Sequence, residues 1–417
     1  SLFRGALRTL LHLGRNCAYA AGMERDYSKI TPADAPWLTK PSARAVCDVI
    51  AAAGHQIFYV GGCVRNALLG CAASDVDLST SATPTEVTAL AQAAGLRAIP
   101  TGIEHGTVTI VADGTPYEVT TFRRDVETDG RRAVVAFSGD IIDDARRRDF
   151  TMNAIYADPD GLIVDPLGGM KDLRARRVRF IENADLRIQE DYLRTLRYFR
   201  FFAWYGDTAQ GLDADALAAI SGNLDGIETL SAERIGAEFC KLLAAPDPSQ
   251  AVAAMAQTGV LGTVLSGADP RFFFWMVHGE QAIAAVPDWI GRLVALGGDS
   301  PSERLRLSKQ EQRRYTRIRA AAFEGTSLSQ TALEHGSDIA AQAYLIRCAV
   351  AESLPEDAVV AQLQHAARQV FPISADDLMP AYAGPALGAR LAELKSAWIA
   401  SEFSLGKAEL LALPSRQ

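Results

Sequence analysis

Six cysteines, at 17, 47, 63, 71, 240 and 348, include no CxxC pair. A zinc site is therefore not expected, and reduced core thiols are the default. No apolar run in the chain approaches the roughly 20 residues a membrane-spanning helix needs. None of the six histidines is followed by Asp, so no HD-type phosphohydrolase signature is present. GxGxxG is missing, which removes support for a Rossmann dinucleotide site. There is no fixed-period repeat or low-complexity tract. An excess of positive charge is lacking too: the net charge is -8. That argues weakly against a nucleic-acid partner, although binding needs only a local basic face.

What is present reads as a folded chain. Its 417 residues are enough for two to four domains, with 48% hydrophobic and 22% charged content. Residues 1–22 carry three arginines and no Asp or Glu. They read either as a targeting peptide or as sequence upstream of the start, and are set aside from the fold.

The periodicity predicts a helix over 41–54 and a buried strand at "QIFYV", 56–60. "CVRNALLG" reads as a helix stopped by Gly70, and "DVDLST" (75–80) as a second strand. Thr83-Pro84-Thr85-Glu86 is a helix start with Thr as N-cap, Pro at N1 and Glu at N3. Residues 107–122 form two β runs around Asp113-Gly114, a hairpin signal. Residues 123–148 hold many charges and few apolar residues and read as a mobile loop. "GLIVDPLGGMKDL" (161–173) is a strand, then Gly168-Gly169, then a helix start. From about 180 onward the pattern is helical. The fold class is thus a mixed α/β head followed by an all-helical remainder.

Two features carry chemistry. On a strand, residues two apart share a face, so Asp75 and Asp77 would present both carboxylates to one side. Paired carboxylates repel unless a cation sits between them, and Mg²⁺ suits such oxygen ligands together with water and phosphate oxygens. An exposed strand edge with two solvated acids is the competing reading. Gly61 and Gly62, between a strand and a helix, can aim backbone N–H groups at an anion, and Arg65 adds a planar charge that suits phosphate. A tight turn with no ligand is the alternative. Cradle and clamp lie within some 15 residues. Together they fit a nucleotidyl transferase, in which metals activate the attacking hydroxyl and stabilise the leaving pyrophosphate. Glu118, in "YEVTTF", is a candidate third catalytic carboxylate or a solvent-facing strand acid.

The ordered stretches "GGCVRNALLG…DVDLSTSATP", "RRRDFTMNAI", "DPLGGMKDL", "RIQEDYLRTLRYFRF" and "ERIGAEF" span about 59–239. They resemble the class II (bacterial-type) tRNA nucleotidyltransferase and poly(A) polymerase family. The resemblance implies a polymerase-β-like α+β head over 23–166, a helical neck over 167–245 that recognises the base, and a helical body and tail over 246–417 that bind tRNA. It implies CCA addition to tRNA from CTP and ATP, with Mg²⁺ on Asp75 and Asp77 and the triphosphate on Gly61, Gly62 and Arg65. Two departures stand out: Asn66 where the family usually has Asp, and Tyr192 where it often has Pro.

The resemblance assigns base reading to Glu190, Asp191 and Arg194. If 190–194 is helical, Asp191 and Arg194 share a face. A carboxylate facing an amino group and a guanidinium facing a ring nitrogen accept C and A and reject G and U. A surface ion pair is the bland alternative. Arg197 lies one turn on, able to contact phosphate or brace Glu190. Asp149 and Asn153 of "RRRDFTMN" are implied to support the nucleotide, and Arg234 and Glu238 read as i,i+4 partners. Gly168-Gly169 reads as a hinge, and the resemblance implies that the 123–145 loop repositions the pocket between C and A. Lys171, Arg174, Arg176, Arg177 and Arg179 could track an RNA backbone or form a solvated face.

A CCA-adding enzyme is the first reading. A poly(A) polymerase or a CC- or A-adding specialist is the second, and a non-catalytic RNA-binding protein the third. No membrane or protein partner is inferred. The compartment would be a bacterial cytoplasm, or the mitochondrion if 1–22 is a transit peptide.

Overall fold

The computed structural model describes residues 28–71, 75–103, 106–129 and 132–414. The chain divides into two compact units, the first ending at Val264 and the second beginning at Leu265.

In the first unit, helix α1 (Pro41–Ala52) buries Val46, Cys47 and Ile50. Strand β1 (Ile57–Val60) leads into α2 (Gly62–Leu69), which ends at Gly70 with φ of 71°, a left-handed cap that glycine adopts without a Cβ clash. Strand β2 (Asp77–Thr80) comes next. Helix α3 (Pro84–Ala93) starts on the expected capping box between Thr83 and Glu86. Strands β3 (Arg97–Gly102), β4 (Thr107–Ala112) and β5 (Thr115–Thr121) follow. The β4–β5 turn has φ of 48° at Asp113 and 72° at Gly114, the two positive values a two-residue hairpin requires.

Residues 123–148 depart from the expected loop. Strands β6 (Arg123–Asp129) and β7 (Arg132–Phe137) pair as an antiparallel ribbon, and helix α4 (Ile141–Arg146) follows. The ribbon is a separate two-stranded sheet. The charges on either side of the apolar run at 133–137 hide that run's strand signal in the sequence. Strands β8 (Tyr156–Ala157) and β9 (Ile163–Val164) complete the main sheet, in the order β3-β4-β5-β2-β1-β8-β9. Only β2 and β5 pair in parallel; the other described pairs of that sheet are antiparallel. Strand β2 is thus central, with Asp77 opposite Val60 on β1 and Glu118 on β5.

The rest of the unit is helical: α5 (Gly169–Arg174), α6 (Ala184–Glu190), α7 (Leu193–Tyr205), α8 (Ala214–Gly222), α9 (Ala232–Leu243), α10 (Ser249–Gln257) and α11 (Val260–Val264). An aromatic cluster joins the "RRRDF" segment to α7. Phe150 lies 5.1 Å from Phe180 and 4.8 Å from Phe201 between ring centroids, and Phe180 stacks on Tyr198 at 5.5 Å. At the expected hinge, Gly168 is left-handed with open space around it. Gly169 is a close-packing point, since a Cβ there would sit 2.1 Å from the Thr151 carbonyl oxygen.

The second unit continues with α12 (Arg271–Ala282), α13 (Trp289–Leu296), α14 (Pro301–Arg304), α15 (Lys309–Phe323), α16 (Leu328–His335), α17 (Ser337–Val350), α18 (Asp357–Ala366), α19 (Gly384–Ala400) and α20 (Lys407–Leu411). Helix α17 is its hub, packed on α12, α15 and α16. Between α12 and α13 lies a buried ion pair: Arg292 donates to Glu280 Oε2 from Nε at 2.9 Å and approaches it with Nη2 at 2.7 Å. Cys47, Cys63, Cys240 and Cys348 are free thiols as expected.

Candidate active site

Strand β2 begins at Asp77, so Asp75 precedes the strand and the alternation expected to align both acids does not apply. Asp75 is exposed and Asp77 half-buried. The partner that pairing supplies to Asp77 is Glu118, across the parallel β2–β5 ladder. Both line a cavity of about 400 Å³ whose wall also includes Thr107, Thr120, Asp144, Arg147 and Arg148. Burial and then Glu118 push the Asp77 carboxyl up to about 6; Arg148 pulls it down and Asp75 adds to the push. A divalent cation would relieve this mutual repulsion, so the donor set fits an oxygen-liganded metal. Among the described residues no cluster of three or more His, Cys, Asp or Glu could hold a metal. A cation here would take its other ligands from water and substrate, as Mg²⁺ commonly does.

The opposite wall comes from residues that the motif reading passed over. Asp144 is buried and accepts from Ser79 Oγ (3.1 Å), Tyr156 OH (2.8 Å) and Arg148 Nη2 (3.0 Å). Arg148 also donates Nε to Tyr156 OH at 3.1 Å. Its Nη1 lies 3.5 Å from where a Cβ on Gly61 would stand. The guanidinium is thus held rigidly between the glycine turn and the cavity. Gly61 itself has φ of 70° and ψ of −120°, a conformation closed to L side chains. In the sequence, Arg148 is the last arginine of "RRRDF", directly before Asp149.

Arg65 does not stand open to an anion. It is buried, donating to Asn66 Oδ1 from Nε (3.2 Å) and Nη2 (2.9 Å), to Asn153 Oδ1 (2.5 Å) and to Tyr205 OH (2.9 Å). Its guanidinium also lies over Tyr205 at 4.1 Å and Phe201 at 4.9 Å. Arg65 therefore braces α2 against α7. Asn66, the first departure, supplies the carbonyl that an Asp carboxylate would otherwise offer.

The chain of bonds continues from Asn153, which donates to Asp149 Oδ1 at 3.0 Å. Asp149 Oδ2 takes Arg197 Nε at 2.7 Å and its Nη2 as well. Burial opposes ionisation of Asp149, but Arg197 and the hydrogen bonds from Asn153 and the Phe150 N–H outweigh it and hold the carboxyl down at about 2. Arg197 therefore braces Asp149, not Glu190.

Asp191 and Arg194 do not share a helical face. Helix α6 ends at Glu190, Asp191 is extended, and α7 starts at Leu193. Arg194 donates to Glu190 Oε2 (2.6 Å), the Arg187 carbonyl (3.0 Å) and the Arg147 carbonyl (2.8 Å). Asp191 instead accepts from Arg234 Nη2 at 2.8 and 3.0 Å and from the Leu193 N–H at 3.1 Å. Glu238, expected to pair with Arg234, pairs with Arg200 at 2.5 Å. Arg194 still reaches the cavity wall, because the carbonyl it holds belongs to Arg147. The second departure has a structural counterpart: a Cβ on Gly226 would meet the Tyr192 ring at 1.9 Å, so Tyr192 packs flat on a glycine. In the basic cluster, Arg179 is tied to Asp172 (2.7 Å), while Lys171, Arg174 and Arg177 are exposed.

A family model described as the poly A polymerase head domain matches residues 57–179. Another, described as the probable RNA and SrmB-binding site of polymerase A, matches 211–271. The mitochondrial CCA tRNA nucleotidyltransferase 1 of Mus musculus is 31% identical over 383 residues, 88% of this chain and 88% of its own length. The CCA-adding enzyme of Geobacillus thermodenitrificans is 42% identical over 216 residues, 51% of this chain and 52% of its own. Among solved structures, the Bacillus stearothermophilus CCA-adding enzyme in complex with CTP superposes with a TM-score of 0.71 at 27% identity, covering 90% of this chain and 97% of that one. The Thermotoga maritima CCA-adding enzyme complexed with tRNA shares the fold, with a TM-score of 0.66 at 17% identity over 90% of this chain and 96% of that one. With a relative alike across nearly the whole chain and a head whose central strands carry an acidic pair, the protein belongs to the CCA tRNA nucleotidyltransferase family and is a nucleotidyltransferase.

Proposed function

We propose that the cavity between β2, β5 and Arg148 is where CMP and AMP are transferred from CTP and ATP to the 3′-hydroxyl of a tRNA, rebuilding its CCA end without a nucleic-acid template. The observation that carries this reading is the register pairing of Asp77 with Glu118, facing a fixed guanidinium across one cavity. Acids on one wall and arginine on the other suit a nucleotide phosphate held beside a metal. Asp75 and Asp77 would hold divalent ions, Mg²⁺ by its preference for carboxylate oxygen, with Glu118 beside Asp77 as the third catalytic carboxylate. When bound, these ions supply charge neutralisation at the phosphates and acidify the attacking hydroxyl. Arg148 and the backbone at Gly61 and Gly62 orient the triphosphate. Arg65 acts beneath them, through Asn153 and Asp149, by fixing α2 to the helix that bears Arg194.

Base choice falls to Glu190, Asp191 and Arg194, whose carboxylates can accept from the amino group and whose guanidinium can donate to the ring nitrogen that C and A share. Here both charged partners are already engaged by the protein, by Arg234 and Glu190. The incoming base then exchanges one protein bond for another, which holds the two groups in place before binding. The compartment follows the role of residues 1–22: a transit peptide places the enzyme in the mitochondrion, upstream sequence in a bacterial cytoplasm.

The test uses tRNA lacking CCA, Mg²⁺, and each nucleotide alone and together. Two C additions followed by one A support the proposal. Long A tails would make the chain a poly(A) polymerase, and no extension would leave an RNA-binding protein. Asp77→Ala should abolish addition while tRNA still binds; retained turnover refutes the metal assignment.

A further inference from the structure

Helix α15 begins at a capping box in which Ser308 and Glu311 each bond the other's backbone N–H, at 3.3 and 2.8 Å. The cap fixes the helix start, so Lys309, Arg313 and Arg317, each four residues apart, lie along one face. All three are exposed, while Tyr315, Ile318 and Ala321 on the other side are buried in the second unit. The remaining arginines of the helix are spoken for. Arg314 pairs with Asp288 and with Asp338 at 2.5 Å, and Arg319 with Glu324 at 3.6 Å. Among the described residues, Lys309, Arg313 and Arg317 have no ion-pair partner.

The fold does not account for this stripe. Like charges at i,i+4 repel, and a cation in the first helical turn opposes the helix dipole. A chain with a net charge of -8 places three self-repelling cations in a row where nothing in the described structure neutralises them. The complement is a linear polyanion. Successive members are about 6 Å apart along the helix axis, a spacing suited to consecutive phosphates of one strand. Flanking Gln312 is exposed and neutral, able to hydrogen-bond to phosphate or a 2′-hydroxyl. The stripe lies outside both matched family regions, 57–179 and 211–271.

We infer that Lys309, Arg313 and Arg317 form a phosphate-tracking surface for the backbone of the tRNA substrate. This rests on the reading of tRNA as substrate. The test is equilibrium binding of tRNA to the full-length chain across a salt series, comparing wild type with K309Q/R313Q/R317Q. Each phosphate contact contributes about 0.7 to 0.9 to the slope of log affinity against log salt. The triple variant should therefore lose about 2 to 3 units of slope. Between 50 and 200 mM salt, wild type should lose roughly 20- to 40-fold more affinity than the variant. KM for tRNA should rise while kcat and KM for CTP stay at wild-type values and the melting temperature does not fall, since the variant also removes like-charge repulsion along the helix. Arg319→Gln, which removes a paired cation from the same helix, should leave the slope unchanged. A triple variant with the wild-type slope and affinity overturns the inference, as it would if the stripe met an acidic protein instead. The binding arm requires no turnover, so it is decided separately from whether the enzyme adds CCA.

Discussion

Replacing Asp149 by Asn removes one charge at the centre of the network joining α2 to α7 and changes almost no volume. The carboxylate side chain is 7% exposed and its main partner, Arg197, 28%, so solvent screens the pair little. Its carboxyl is held down from 3.8 to about 2. At about 1.4 kcal/mol per unit, the ionised form stabilises the native state by about 2 to 3 kcal/mol. The group is depressed in the folded state, so this contribution is fully present above pH 3.8 and is lost as pH falls toward 2. About half should remain at pH 3. Urea melts of wild type and D149N, followed by far-UV circular dichroism, should differ by about 2 to 3 kcal/mol at pH 7 and by clearly less at pH 3. A difference below about 0.5 kcal/mol at pH 7, the range of an ordinary surface change, would refute the reasoning. So would a difference that does not shrink in acid.

Other perturbations follow from the same geometry. Gly226→Ala drives a Cβ into the Tyr192 ring and should cost about 1 to 3 kcal/mol; adding Tyr192→Ala should recover most of it in a thermal melt. Glu280→Ala leaves Arg292 buried without its carboxylate and should cost about 3 to 5 kcal/mol in a denaturant titration. Burial pushes Glu280 up to about 7 despite Arg292. Its proton-linked contribution is therefore greatest below pH 4.5 and declines as pH rises through 7. Glu280→Gln should remove that component, seen as a flatter stability–pH curve than wild type. Arg194→Ala should raise incorporation of UTP and GTP relative to CTP by roughly 10- to 100-fold, from about 1 to 3 kcal/mol per base contact; unchanged rejection would move base reading to another residue.

Local signals were read well where the backbone itself enforces them. Gly70, the Thr83–Glu86 box and Asp113-Gly114 each require a particular dihedral or cap, and each lies where expected. Side-chain partners were read poorly, because spacing along one helix says nothing about neighbours from other elements. Arg234 was matched with Glu238 four residues away, but Asp191, 43 residues away, takes it. Asp191 and Arg194 looked co-facial only on the assumption of an unbroken helix. The stretch 123–137 differs for another reason: charged residues surround the apolar run at 133–137 and obscure its strand signal.

From residue order alone came the acids, the glycine turn, the motif set and hence the chemistry, because phosphate transfer restricts which side chains can serve and how closely they cluster. Folding decided which acid meets which. Parallel pairing of β2 with β5 set Glu118 opposite Asp77, and burial brought Asp144 and Arg148, both bonded to Tyr156 behind them, onto the cavity wall. Folding also turned Arg65 inward to hold two helices together. Those outcomes depend on strand register and on which polar groups must find partners once water is excluded, and neither is written in the spacing of residues along the chain.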